Sequence, residues 1–242
     1  FGRPYTTASI EETMAHVLEA GCKRLDIFFM IGLPRQDYDS VMGTIDYCEH
    51  LLERFDAGED KRLIPFISPL APFVDPGSDV FEQPEKYGYR LFCRTLEEHR
   101  QALVAPSWKY VLNYETVWMS RDQIVEATYE AGFRLNRLKA RYGLVDPAVA
   151  AMTEKRIQKA RRLMAQIDDI LQIEDAARRQ LLLAALKPQV DTANLSTVCE
   201  KAELNLPVGL WKLNLLKAAG NVLAGAAGRL RRPAVAEEGE TC

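Results

Sequence analysis

Apolar and polar positions alternate along the first seventy residues in the rhythm of an α/β unit. Ser9-Ile10-Glu11-Glu12 fits a capping box, and it predicts a helix from Ser9 to about Ala20 with Gly21 as its stop. The run Leu25 to Ile31, apolar except for Asp26, predicts a strand that breaks at Gly32. Val41, Ile45, Cys48, Leu52 and Phe55, spaced alternately by four and three, predict a helix from about Asp37 to Arg54 with one apolar stripe. Leu63-Ile64-Pro65-Phe66-Ile67 predicts a second strand. Two apolar strands joined by a helix of this length make a βαβ unit with parallel strands.

Further along the pattern turns helical. Tyr87 to His99 is expected to be a helix, and Trp108 to Leu112 a short extended piece. A capping box at Ser120-Arg121-Asp122-Gln123 starts a helix whose face carries Ile124, Thr128, Ala131, Leu135 and Leu138, with Gly143 as its stop. Asp146-Pro147 pairs a good N-cap with proline at N1 and is taken as a domain boundary. After it, Ile157, Ala160, Met164, Ile167 and Leu171 follow at heptad-like spacing, and Ala177, Leu181 and Leu186 mark a second helix ending at Lys187-Pro188. Leu210 to Leu230 is apolar around most of its circumference, but Lys212 and Lys217 argue against a membrane span. The expected organisation is therefore an α/β part over 1–145, a helical extension over 146–232 and a disordered acidic tail over 233–242.

Composition narrows the function classes. The chain has 242 residues, 48% of them hydrophobic, with 31 basic and 34 acidic side chains and a net charge of −3. No general polyanion-binding field is expected, so nucleic acid is not a partner on charge grounds. Five scattered cysteines argue against a secreted disulfide framework and for a reducing cytoplasm. Cys22, Cys48, Cys93, Cys199 and Cys242 are too widely spaced for any metal-ligand motif, and His16, His50 and His99 lack ligand partners at suitable spacing. No metal site is therefore assigned to this chain. It also has no nucleophile elbow or P-loop.

The string FFMIGLPRQDYDSVMGTIDYC, residues 28–48, resembles the fifth strand and following helix of the radical S-adenosylmethionine (radical SAM) enzymes, many of which read FMIGLPGQT at this point. The resemblance implies the C-terminal part of a (β/α) barrel followed by an all-helical extension. It also implies S-adenosylmethionine as cofactor and a [4Fe-4S] cluster that reduces it to a 5′-deoxyadenosyl radical. The family's C-x3-C-x2-C cluster motif is absent here, so the cluster ligands are expected upstream, in the remainder of a longer chain. By position, Ile31, Gly32 and Leu33 would form the adenine wall, where glycine lets backbone approach a flat ring. Pro69, at the next strand end, would face the same cavity. Arg35 stands where many relatives have a second glycine, which makes this loop bulkier.

The aromatic stretches 87–100 and 108–116 resemble a narrower group of radical SAM proteins that carry a cobalamin-binding domain, which makes cobalamin an additional candidate cofactor. On this reading Asp75, Tyr114 and Glu115 are candidate contacts to a small-molecule substrate. Plainer readings stand beside these. Gly32 could simply end a strand before a proline turn, Asp75-Pro76-Gly77 is strong turn chemistry, and the aromatics could be core. A noncatalytic α/β-helical module is the alternative from another class. It would dock on a membrane surface or a protein partner through Leu210 to Leu230 and the basic cluster Arg229-Arg231-Arg232.

Overall fold

A computed structural model describes residues 5–69 and 74–193. The expected features at Leu210 to Leu230 and in the 233–242 tail lie outside the described residues, as do Cys199 and Cys242. The described chain is a mixed α/β structure, mostly helical, with short strands and no closed barrel among the described residues.

The chain runs through α1 (Thr7–Glu19), β1 (Leu25–Ile31), α2 (Tyr38–Arg54) and β2 (Leu63–Pro69). Strands β1 and β2 are parallel, in register from Leu25 opposite Leu63 to Ile31 opposite Pro69. Successive strand side chains point to opposite faces. Ile31, Leu63 and Ile67 therefore join Val41, Ile45, Cys48 and Leu52 of α2 in the core. Phe28 and Met30, on the other face of β1, are 57% and 44% exposed.

Helix α1 begins one turn earlier than its sequence suggests. Its N-cap is Thr6, which accepts from the Ser9 amide, while the Ser9 hydroxyl accepts from the Thr6 amide. Ser9 is therefore the third residue of the box and not its cap. Glu12 is not needed for capping, because Ser9 already reciprocates. In α2 the cap is Asp37, paired with Ser40 in the same way.

The segment after β2 holds a short helix, α3 (Asp79–Glu82), and a single 3₁₀ turn over Pro84–Tyr87. Next come β3 (Tyr89–Leu91), α4 (Leu96–Leu103), α5 (Trp108–Val111) and β4 (Tyr114–Thr116). The helix expected over 87–99 is thus broken in two places. Gly88 sits at φ 74°, and the Trp118 ring fills the space its Cβ would need. Thr95 then starts a new helix by a capping box with Glu98. The extended piece expected at 108–112 is instead one turn of helix. Ser107 caps it, and Lys109 and Tyr110 reach Asp168, which fixes the turn from outside. Strands β3 and β4 pair antiparallel, Tyr89 opposite Thr116 and Leu91 opposite Tyr114.

Helix α6 (Arg121–Arg141), capped by Ser120, buries Ile124, Thr128, Ala131, Leu135 and Leu138 against α2 and β2. Helix α7 (Pro147–Leu171) follows its Asp146 cap and packs on α6, contributing Ile157 and Ala160 to the same core. Helix α8 (Ala176–Ala193) does not stop at Lys187 but passes through Pro188. An interior proline removes one backbone bond. The turn that follows the proline carries a Lys187–Asp191 ion pair and a Thr192 hydroxyl donating to the Pro188 carbonyl. No helix among the described residues is long and apolar enough to cross a membrane.

Candidate functional site

The parallel pair presents its C-terminal ends at Ile31 and Pro69, and what is built around the first of these is best defined. Ile31 is fully buried. Gly32 follows at φ 90°, a conformation L side chains rarely adopt. The chain then doubles back, because Gln36 returns its side chain to the strand end. Its Oε1 accepts from the amides of Gly32 (2.8 Å) and Leu33 (3.2 Å), and its Nε2 donates to the Met30 carbonyl (3.1 Å). Three backbone groups left over where the strand stops are thereby satisfied.

Arg35 lies at φ 64°. This is the left-handed region, which costs a non-glycine residue roughly 1–2 kcal/mol. Glycine would take this angle without that cost.

The β3–β4 ribbon closes over this loop. The Tyr89 hydroxyl donates to the Gly32 carbonyl at 2.7 Å, and the Tyr89 and Tyr114 rings pack 5.4 Å apart. Burial, with Tyr114 beside it, pushes the Tyr89 hydroxyl well above the ordinary tyrosine pKa, so it stays a donor. A Cβ on Gly32 would stand 2.7 Å from the Tyr114 Oη. Gly32 is thus needed twice, for its backbone angle and for the tyrosine against it. The residue next to Tyr114 serves the second strand end. Asn113 is fully buried, its Oδ1 accepts from the Val74 amide at 2.8 Å, and its Nδ2 donates to His99 Nε2 at 2.9 Å. Adjacent residues Asn113 and Tyr114 therefore hold the chain beyond both parallel strands.

The candidate residues divide on this geometry. Ile31 is core, Gly32 is enclosed between two tyrosines, and Leu33 and Pro34 remain half-buried at the edge of the loop. Pro69 ends β2 in register with Ile31. Asp75 is exposed, and its carbonyl accepts from both the amide and hydroxyl of Ser78 across a turn with Gly77 at φ 84°. Tyr114 is wholly buried. Glu115 pairs with Arg90 (2.8 Å) and accepts from the Arg121 amide (3.2 Å), so it braces the ribbon against the start of α6. Tyr114 is brought to Gly32, whereas Asp75 and Glu115 have structural partners of their own.

Nothing among the described residues gathers three or more His, Cys, Asp or Glu side chains that could hold a metal ion. Cys48 and Cys93 are buried, and burial pushes the Cys48 thiol up to about 12. Cys22 is half-buried with its thiol on the Arg24 carbonyl. His99 has both ring nitrogens engaged, Nδ1 on the Thr95 carbonyl and Nε2 on Asn113. No family model, curated protein or solved structure matches the chain.

Sequence reasoning did not single out Gln36 or Tyr89. Gln36 carried a signal, since it occupies the glutamine of the FMIGLPGQT string. Tyr89 carried none, because its partner is 57 residues away in the chain.

Proposed function

We infer that the chain is the C-terminal part of a radical SAM enzyme and that the loop after β1 supports the adenosyl group of S-adenosylmethionine. The observation behind this reading is the form of that loop: glycine at φ 90°, a left-handed residue where the family's string has glycine, and a glutamine that ties three backbone groups together. The parallel βαβ unit that carries the loop accords with a barrel segment, and ligands of such barrels gather at the C-terminal strand ends.

The wall proposed here is shifted relative to the one the sequence suggests. Tyr114 occupies the side of Gly32 where a Cβ would point, so the surface proposed for the flat ring is the half-buried Leu33 and Pro34 and the exposed Met30. Gln36 holds this edge rigid, and Tyr89 fixes the Gly32 carbonyl. Bound S-adenosylmethionine with its cluster supplies hydrogen-abstraction chemistry, and the chain's own residues bind and orient. The described residues do not fit a [4Fe-4S] cluster, and no step of the reaction is assigned to them.

The test is the affinity of the full-length protein for S-adenosylmethionine, measured by equilibrium dialysis on wild type and Met30→Ala. Met30 is exposed, so its truncation spares the core while removing apolar surface under the ring. A loss of about fivefold or more with unchanged iron content supports the reading; native affinity counts against it.

A further inference from the structure

A second hollow lies on the opposite side of α4 from solvent-facing Glu97 and Arg100, and nothing in the loop after β1 contributes to it. It encloses about 380 Å³ between α4, α5 and the turn that follows Val74, with apolar walls from Pro76, Leu96, Ala102, Leu103 and Val111. Pockets that hold small molecules start at about this size and pair apolar walls with a few placed polar groups. Leu96 and Leu103, at the two ends of α4, are 88% and 61% exposed. Single exposed leucines need no explanation. Two of them on the rim of one apolar hollow do.

One cation lines the hollow. Arg94 is exposed and has no carboxylate partner among the described residues, unlike Arg90 and Arg100 on either side of it. The nearest α4 carboxylate, Glu98, is turned onto the Arg94 and Thr95 amides in the capping box. His99 forms part of the wall, but its two ring nitrogens are already bonded to Thr95 and Asn113. The polar groups on this wall are therefore the Arg94 guanidinium, which binds carboxylate or phosphate through paired N–H donors, and the Thr95 hydroxyl, whose oxygen accepts from the Glu98 amide as the α4 cap.

We propose that this hollow binds a small amphiphile, its apolar body against Leu96, Ala102, Leu103 and Val111 and its one anionic group, carboxylate or phosphate, on Arg94. The proposal is independent of the cofactor reading and survives or fails without it.

Titration calorimetry of the full-length protein with dodecanoate and with dodecyl phosphate, each below its micelle concentration, tests it. The expected result is saturable binding of one molecule per chain for at least one of the two, and the tighter one identifies the headgroup. Arg94→Gln should weaken it about tenfold or more, the scale of a hydrogen-bonded charge. Leu96→Glu, at an exposed position that folding tolerates, should weaken it as well by placing a carboxylate on the apolar rim. Dodecyltrimethylammonium should not bind at this site. The proposal is overturned by the absence of saturable binding for both anions, by equal binding of the cationic amphiphile, or by unchanged affinity in both variants.

Discussion

Tyr114 presses on the one backbone position that has no side chain to yield: its Oη lies 2.7 Å from where a Cβ would stand on Gly32, and its Cε2 lies 3.1 Å away. Gly32→Ala must both adopt φ 90° and displace the ring. The first cost is roughly 1–2 kcal/mol and overpacking adds about 1–3 kcal/mol. The variant is expected to lose about 2–5 kcal/mol in urea unfolding. In a Tyr114→Phe background the closest contact is gone, so the same substitution should cost less. A cost that is identical in both backgrounds would show that the two residues do not couple.

This pair also changes how any Gly32 variant reports on cofactor binding. Gly32→Val harms the protein through Tyr114 whether or not adenine lies nearby, so weakened binding in that variant does not distinguish the two. Exposed Met30 is the cleaner probe.

Gln36→Ala removes the acceptor for two amides and the donor to one carbonyl. These bonds are part-buried or exposed, so water replaces some of what is lost, and the expected loss of stability is about 0.5–1.5 kcal/mol. Gln36→Glu retains the acceptor oxygen but sets a carboxylate beside the Met30 carbonyl. Its stability should therefore improve as the pH falls and the new carboxyl gains a proton, whereas Gln36→Ala should show no such gain. Denaturant midpoints at pH 7 and pH 5 decide between these outcomes.

Glu11 gives the fold a defined acid sensitivity. It is buried between α1 and α2, where it meets the Tyr47 hydroxyl, Arg54 and His50. Burial alone would raise its pKa, but the Tyr47 hydrogen bond and the Arg54 charge outweigh burial and hold it below the ordinary 4.5. A carboxyl lowered in the folded state stabilises fully above its unfolded pKa and loses that contribution as the pH falls through the folded one. The stability gap between wild type and Glu11→Gln should be widest near neutral pH and close as acid protonates Glu11. A gap that is constant from pH 7 to pH 3 would contradict this.

Arg35→Gly should be neutral or stabilising, because glycine relieves the left-handed strain although it also loosens the unfolded chain. The expected change is within about 1 kcal/mol. A loss above 2 kcal/mol would mean that the Arg35 side chain contributes more than its backbone angle costs.

The βαβ half of the molecule was legible because its signals are local. The mainly apolar run Leu25 to Ile31 became β1 with the same bounds, Ser120 and Asp146 are the caps expected of them, and the helix expected from about Asp37 is capped by that residue. The β3–β4 ribbon was not legible. Its strands have three residues each, too few to show alternation, and they are defined by contacts of Tyr89 and Tyr114 with Gly32 far away in sequence. Thr95-Leu96-Glu97-Glu98 did contain a readable capping box, which the aromatic density around it obscured. Of the candidate site, the glycine and its loop could be read from the string. The tyrosine occupying the glycine's open side could not.

The central claim is that the strand end from Met30 to Gln36 supports the adenosyl group, and amide hydrogen exchange tests it most directly. The full-length protein is compared with and without saturating S-adenosylhomocysteine, which binds without turnover. The account predicts added protection of peptides covering residues 30–36, with α7 and α8 unchanged. Saturated binding with no change in protection at residues 30–36 would contradict it.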